Sequence, residues 1–337
     1  MNLRLLSTIL RLLSSTAVAL AAALFLAAPV SAPADDEPKW VHQTYPEDEL
    51  RRRFGGEADE ISPDQAYDYF LQLVNEDRRN YGNAPPVRLD RIAAKAAQEH
   101  ADDMAENGYV SHWSLDGKKP PQRYNDAGGD HNVTENVSFW DSNFQLFLTR
   151  PVVEDVEKRF MASEGHRVTI LQPQHTHVGL AISIRKRGGE WVMAADQEFI
   201  DKYAEYGEMP RSTLPGQAVA VSGRLDVSRV EFLQAAIGRE DLPKPVTADY
   251  LNGHLGAYSM PPTFQGFMLK SDKGRRKFLG VPTLYTFTYD PESGYFEGEI
   301  PFPIDARPGV YYVYIWVKDK GGRTFIASTN TIVVKGD

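Results

Sequence analysis

Three residues of this sequence have the types and settings to act together. His112 stands in Tyr109-Val110-Ser111-His112-Trp113, Glu135 in Thr134-Glu135-Asn136-Val137, and His166 in Ser163-Glu164-Gly165-His166-Arg167. Two neutral imidazoles and a carboxylate are ligand types that zinc or another divalent ion accepts, with open positions left for water. The same groups can act as an acid-base pair on a bound substrate. Their wide separations match no local ligand signature such as H-E-x-x-H. The pattern therefore leaves open the plainer case of histidines satisfied by backbone hydrogen bonds. The sequence has no G-x-S-x-G, no glycine-rich phosphate loop and no EF-hand loop. With Cys 0, it has no thiolate ligand, no cysteine nucleophile and no disulfide.

All three residues are expected at the ends of regular elements. Ser62-Pro63-Asp64-Gln65 has the N-cap, the proline at N1 and the Gln at N3 of a capping box, and predicts a helix running to about Asn80 with Tyr67, Phe70, Leu71 and Val74 on one stripe. A second helix starts with Asp90 as N-cap and carries Ile92, Ala93, Ala96, Ala97, Ala101 and Met104 to Gly108, so His112 follows its end. On that helix His100 reads as a satisfied, partly buried residue. A third helical stretch holds Val152, Val153, Val156 and Phe160, with Pro151 in its first turn. After Gly165 the period changes, and Val178, Leu180, Ile182 and Ile184, then Gly188-Gly189, then Trp191-Val192-Met193 predict a β-hairpin. The expected class is α+β over residues 62–200. Residues 201–216, charged and proline-punctuated, read as a linker. Residues 217–337 show short strands between Pro, Gly and Asp clusters and predict an all-β, immunoglobulin-like sandwich, with Val310 to Val317 as a central strand. Its many aromatics read as core rather than as a sugar-stacking row.

Composition narrows the partners. A chain of 337 residues, 42% hydrophobic and 25% charged, is too long for one ordinary core and too apolar for disorder. With 37 Lys and Arg against 46 Asp and Glu, and no basic block, it is not built to neutralise a nucleic-acid backbone. Arg4 and Arg11 precede an apolar run from Leu12 to Ala28, and Ala32-Pro33-Ala34 fits a cleavage site, so residues 1–34 are expected to be a signal peptide and 35–61 an acidic leader. The mature chain is then expected to be secreted, periplasmic or extracellular. If uncleaved, the apolar run is a membrane anchor. Export without cysteine points to a bacterium.

A longer ordered series sharpens this reading. His112, Gly117 and Pro121-x-Arg123 are followed by Glu135-Asn136, then Ser163-x-Gly165-His166-Arg167-x-x-Ile170-Leu171-x-Pro173, His177-Val178-Gly179 and Gln197-x-Phe199. Over about Gln65 to Phe199 the chain resembles the CAP superfamily of cysteine-rich secretory, antigen 5 and pathogenesis-related 1 proteins, in its compact bacterial branch. The resemblance implies an α-β-α sandwich whose cleft is lined by His112, Glu135 and His166, a site that binds divalent metal in some members. It places Ser163 where the family carries a second glutamate, and Glu164, about 100° further round a helix, is not an automatic substitute. Arg123 and Arg167 read as braces of acidic loops ahead of anion binders.

The leading expectation is an exported binding protein. Its cleft takes a lipid, peptide or glycan, with zinc or another divalent ion as the candidate cofactor, held by His112 and His166 with Glu135 available. The β-sandwich attaches it to an envelope, glycan or protein partner. Two rivals stay open: a metal-dependent hydrolase in which His112 and His166 hold the ion and Glu135 polarises water, and a structural envelope protein with a vestigial cleft.

Overall fold

The computed structural model describes residues 59–259, 261, 263–270 and 283–336, with Asp48 and Gly56 besides; along 263–270 and 283–287 it is used for backbone alone. The expected signal peptide and most of the leader lie outside the described residues. Among those described, no helix is long and apolar enough to cross a membrane.

Capping chemistry starts the first helices where the sequence places it. α1 (Pro63–Asp77) opens on Ser62, whose Oγ accepts from the Gln65 N–H while Gln65 Oε1 accepts from the Ser62 N–H. It buries Ala66, Phe70 and Val74, then widens into a π-helical turn over Arg78–Gly82 that ends at Asn83 with φ 46. The two-residue β1 (Arg88–Leu89) leads to α2 (Arg91–Asn107), capped by Asp90 Oδ1 at 3.0 Å from Ile92 N and 2.9 Å from Ala93 N and closed by Gly108 at φ 73. α3 (Pro120–Asp126) and β2 (Asn132–Ser142) follow, then α4 (Arg150–Ala162), capped by Thr149 with Pro151 in its first turn. A change of period was expected past Gly165. Instead Glu164–Leu171 forms a further helix, α5, which puts His166 in its first turn. The expected hairpin then forms as β3 (His177–Arg187) and β4 (Glu190–Asp201).

These four strands make a sheet in the order β1-β3-β4-β2. One face packs on α1, α4 and α5 through Phe70, Val156, Phe160, Ile170, Leu180, Ala195 and Phe199. The other packs on α2 through Ala97, Ala101 and Met104 against Val137, Ala181 and Ala194. The alanine stripe lets α2 approach closely. A Cβ on Gly179 of β3 would sit 2.1 Å from the backbone carbon of Ala93, which explains the glycine in His177-Val178-Gly179. The result is the expected α-β-α layering.

The rest of the chain is β-rich. Residues 201–216 do not behave as a free linker: within them β5 (Ala204–Tyr206) and β6 (Ser212–Thr213) become edge strands of the second sheet. With β7 (Ala218–Leu225), β8 (Val230–Glu240), β9 (Thr263–Lys270), β10 (Thr283–Tyr289), β11 (Tyr295–Pro301), β12 (Gly309–Asp319) and β13 (Thr324–Val334) they form a 9-stranded ladder in the order β5-β7-β11-β10-β9-β8-β12-β13-β6. Val219, Val221, Phe296 and Ile300 from one half share a core with Phe232, Ile237, Val313 and Ile315 from the other. The two halves thus face each other as layers. They differ from an immunoglobulin-like sandwich in being joined through the β9–β10 parallel pairing into one ladder.

β12 is buried on both faces, as its composition predicts. Its outer aromatics, Tyr312, Tyr314 and Trp316, are buried rather than displayed. On this side β13 lies against α3 and β2. Asn125 Oδ1 accepts from Thr331 N at 2.7 Å, and Arg211 donates to the Gly129 carbonyl at 2.8 Å and to Asn330 Oδ1 at 2.7 Å. The crossover between β8 and β9 reaches further. It carries α6 (Ala248–Gly253), whose Leu251 sits in the same core as Ala97, Met104 and Val137. Asn252 donates to the Gly108 carbonyl at 3.0 Å and accepts from Val110 N at 3.1 Å, and Val246 N donates to Leu115 O at 2.8 Å. This crossover is a strap across the end of α2.

Candidate functional site

The strap lies where α2 ends, and His112 lies under it. Gly108 turns the chain out of α2, and the following loop brings His112 beside β2. His112 Nδ1 lies 2.7 Å from Glu135 Oε2. An ionised carboxylate only accepts, so Nδ1 carries the proton. The ring packs edge-on against Tyr258 of the strap at 5.2 Å between centroids, and the Tyr258 hydroxyl donates to the Val133 carbonyl at 3.3 Å.

Arg123 of α3 holds the other side of Glu135. One guanidinium nitrogen contacts Glu135 Oε1, and the other donates to the carbonyls of His112 at 2.8 Å and Lys118 at 3.2 Å and to Ser114 Oγ at 3.2 Å. Arg123 is therefore a brace, as its sequence setting suggests. Arg167 does the same at the α4–α5 junction, donating to the Met161 carbonyl at 2.7 Å. Burial by itself would raise the Glu135 carboxyl, but Arg123, His100 and His112 outweigh it and hold it well below the usual carboxylate range.

His166 arrives from the other face. It is buried in the first turn of α5, its ring edge-on to Phe160 at 5.1 Å, and its carbonyl accepts from Asn136 Nδ2 at 3.1 Å. Burial lowers its pKa to about 3, with the His112 charge as the second cause, so the two imidazoles sense each other. Of the three expected residues, His112 and Glu135 bond each other directly through their side chains. Ser163 sits at the α4–α5 junction, and Glu164 is exposed, so neither places a second carboxylate at the site.

The divalent ion implied at His112, Glu135 and His166 does not fit this arrangement well. Both oxygens of Glu135 already have partners, one of them a guanidinium, and neither Ser163 nor Glu164 supplies the second carboxylate that would balance the ion there.

Behind Glu135, on the α2 face, lies a group that the sequence reading missed. Alternation along β4 puts Asp196 and Glu198 on the side of Ala194, and the register sets Glu198 opposite Glu135 and Asp196 opposite Val137. Both acids are fully buried, and none of their carboxylate oxygens accepts a hydrogen bond. Burial first, and then neighbouring carboxylates, push both pKa values well above the ordinary range. His100 joins them. Its Nε2 lies 2.8 Å from the Ser111 carbonyl and donates to it, while Nδ1 is buried with no partner. Burial, then Arg123, lowers its pKa to about 3. The expectation of a satisfied, partly buried His100 holds for one ring nitrogen only. The readable signal was Asp196-x-Glu198, two acids on one face of an otherwise apolar strand.

Other histidines stand apart: His175 pairs with Asp201 at 2.7 Å in a buried contact, and His254 stacks on Tyr250 at 4.1 Å. A groove of about 520 Å³ between the two regions is lined by Pro85, Arg88, His177, Tyr203, Arg229 and Arg323, away from His112.

Residues 71–195 match the sequence model of the cysteine-rich secretory protein family, CAP. The Bacillus subtilis (strain 168) protein named "Uncharacterized protein YkwD" is 28% identical over 132 residues, which are 39% of this chain and 46% of that protein. The chain thus spans less than half of that relative. Among solved structures, an outer surface protein from Borrelia burgdorferi aligns with a TM-score of 0.33 and 16% identity, covering 41% of this chain and 96% of that one.

Proposed function

Starting from a chain whose residues 71–195 match the CAP family, we propose that it is an exported binding protein rather than a hydrolase. Its ligand engages the cleft at His112 and His166, and the β-rich region completes the site and attaches the molecule to an envelope or extracellular partner. The observation that carries this is the state of Glu135. A general base needs a pKa near the working pH and a free oxygen aimed at the proton it takes. Glu135 meets neither need, because Arg123 and His112 each engage one of its oxygens and keep it ionised, leaving spare lone pairs but no oxygen without a partner. The strap supports the same reading. Tyr258 lies on His112, so a ligand reaching that ring stacks with the tyrosine or displaces it.

Two assays test this together. The chain is titrated with palmitate, a muramyl peptide and an extended peptide by calorimetry, and ester and peptide substrates are followed for turnover in wild type and Glu135→Gln. Binding of one probe that weakens in His112→Ala and Tyr258→Ala, with no Glu135-dependent turnover, supports the binding reading. Turnover abolished by Glu135→Gln establishes the hydrolase. Neither binding nor turnover leaves the structural, vestigial cleft.

A further inference from the structure

From the α2 face of the sheet we infer a divalent-cation site formed by His100, Asp196 and Glu135. It shares only Glu135 with the cleft reading and does not rest on it. The ligand atoms of these three residues lie within 4.8 Å of one another, and all three residues are buried. Unlike a surface cluster of acids, this group contains side chains that are fully buried and unpartnered: His100 Nδ1, both oxygens of Asp196 and both of Glu198. Buried polar atoms left in this state are uncommon in folded proteins, and an ion is one of the few partners that satisfies several at once.

The donors suit a first-row dication. The Nε2–H of His100 is committed to the Ser111 carbonyl, which leaves the unpartnered Nδ1 as its available lone pair and matches the way ligating imidazoles are oriented by a backbone acceptor. Neither oxygen of Asp196 accepts from an N–H or hydroxyl donor, and its carboxyl lies against that of Glu135. Glu135 uses one lone pair of each oxygen on His112 and Arg123, and a carboxylate has about four such sites. Charge separates this location from the one implied at His112 and His166. There the single carboxylate is already balanced by Arg123. On the α2 side Asp196 and Glu198 add two carboxyl groups to Glu135 against that same guanidinium, the count a dication neutralises. One imidazole with carboxylates and no thiolate is a set that zinc or manganese accepts.

Zinc is the probe. The full chain, stripped with a chelator, is titrated with zinc by calorimetry and then crystallised with it for anomalous scattering at the zinc edge. The expected result is one zinc per chain with its peak at about 2.0–2.2 Å from His100 Nδ1 and Asp196. The isosteric Asp196→Asn and the conservative His100→Gln, each melting as wild type does without metal, are expected to weaken zinc at least ~10-fold, since loss of an orienting partner alone costs about that much. His166→Ala is expected to leave zinc affinity unchanged. No zinc uptake by the folded chain, or a peak between His112 and His166 with affinity untouched in Asp196→Asn, overturns the assignment. Zinc uptake by a wild-type chain that binds none of the three probes fails the cleft reading alone, and probe binding by a chain that takes up no zinc fails this site alone.

Discussion

The two faces of the four-stranded sheet receive side chains from the same two strands and treat them differently. On the α4 and α5 side, Asn136 donates to Gln197 Oε1 at 3.0 Å, and Gln197 donates to Glu157 Oε2 at 2.6 Å. Glu157 in turn faces the Asp77 carboxyl of α1, which adds to burial in raising its pKa. Two amides and an acid thus bridge strand to strand to helix. One residue away along each strand, on the α2 side, Glu135, Asp196 and Glu198 crowd one guanidinium and leave oxygens without donors. Polar groups that bond one another hold layers in register. Polar groups that do not are kept at a cost in stability, which is why function is sought on the α2 face.

The largest effect expected from breaking this contrast is at Arg123. Arg123→Met strips the buried Glu135 of its cation and is expected to cost about 3–5 kcal/mol in urea unfolding, as for other half-broken buried pairs. A cost below ~1 kcal/mol contradicts the clamp. Next is the strap. Leu251 is 3% exposed within the α2 core, so Leu251→Ala is expected to cost about 2–5 kcal/mol. It should also lower the melting of the α-β-α domain itself, visible as faster amide exchange in α2. Exchange unchanged in α2 would show the strap to be a passenger.

On the bonded face the effect is smaller and depends on pH. Burial, then Asp77, raises the Glu157 carboxyl well above its ordinary range. The fold therefore binds a proton that the unfolded chain releases above about pH 4.3. This contribution is full below that pH and is lost as pH rises toward the folded value, at up to about 1.4 kcal/mol per pH unit. Glu157→Gln keeps the hydrogen-bond geometry without the proton, so its stability is expected to fall less steeply with rising pH than wild type. Parallel curves would refute the assignment. The smallest effect is at the α1 cap, where Ser62→Ala is expected to cost about 1 kcal/mol and leave zinc uptake unaltered.

What was legible in the sequence was local chemistry. The Ser62 box, the Asp90 and Gly108 caps and the Gly188-Gly189 hairpin each depend on residues a few positions apart, and each formed. β2 escaped the periodicity reading because Asn132–Ser142 is buried on both sides along its centre, which erases alternation. α5 escaped because its eight residues begin with Glu164-Gly165, too short for a stripe to show. His112 and Glu135 were found as candidates and do meet. The hold of Arg123 on Glu135, the capture of Leu251 by α2 and the weaving of Ser212–Thr213 into the sheet edge are set by tertiary contacts that no local pattern carries.

Whether Glu135 is a clamped charge or a working base is decided most directly by its own titration. Side-chain carboxyl shifts followed by carbon-13 NMR in the metal-free chain, assigned by Glu135→Gln, report that carboxyl alone. Held down by Arg123 and His112, it is predicted to stay ionised from pH 8 to below the ordinary glutamate midpoint of about 4.3. A midpoint between about pH 5 and 7, where a general base operates, would contradict the clamp and return the hydrolase.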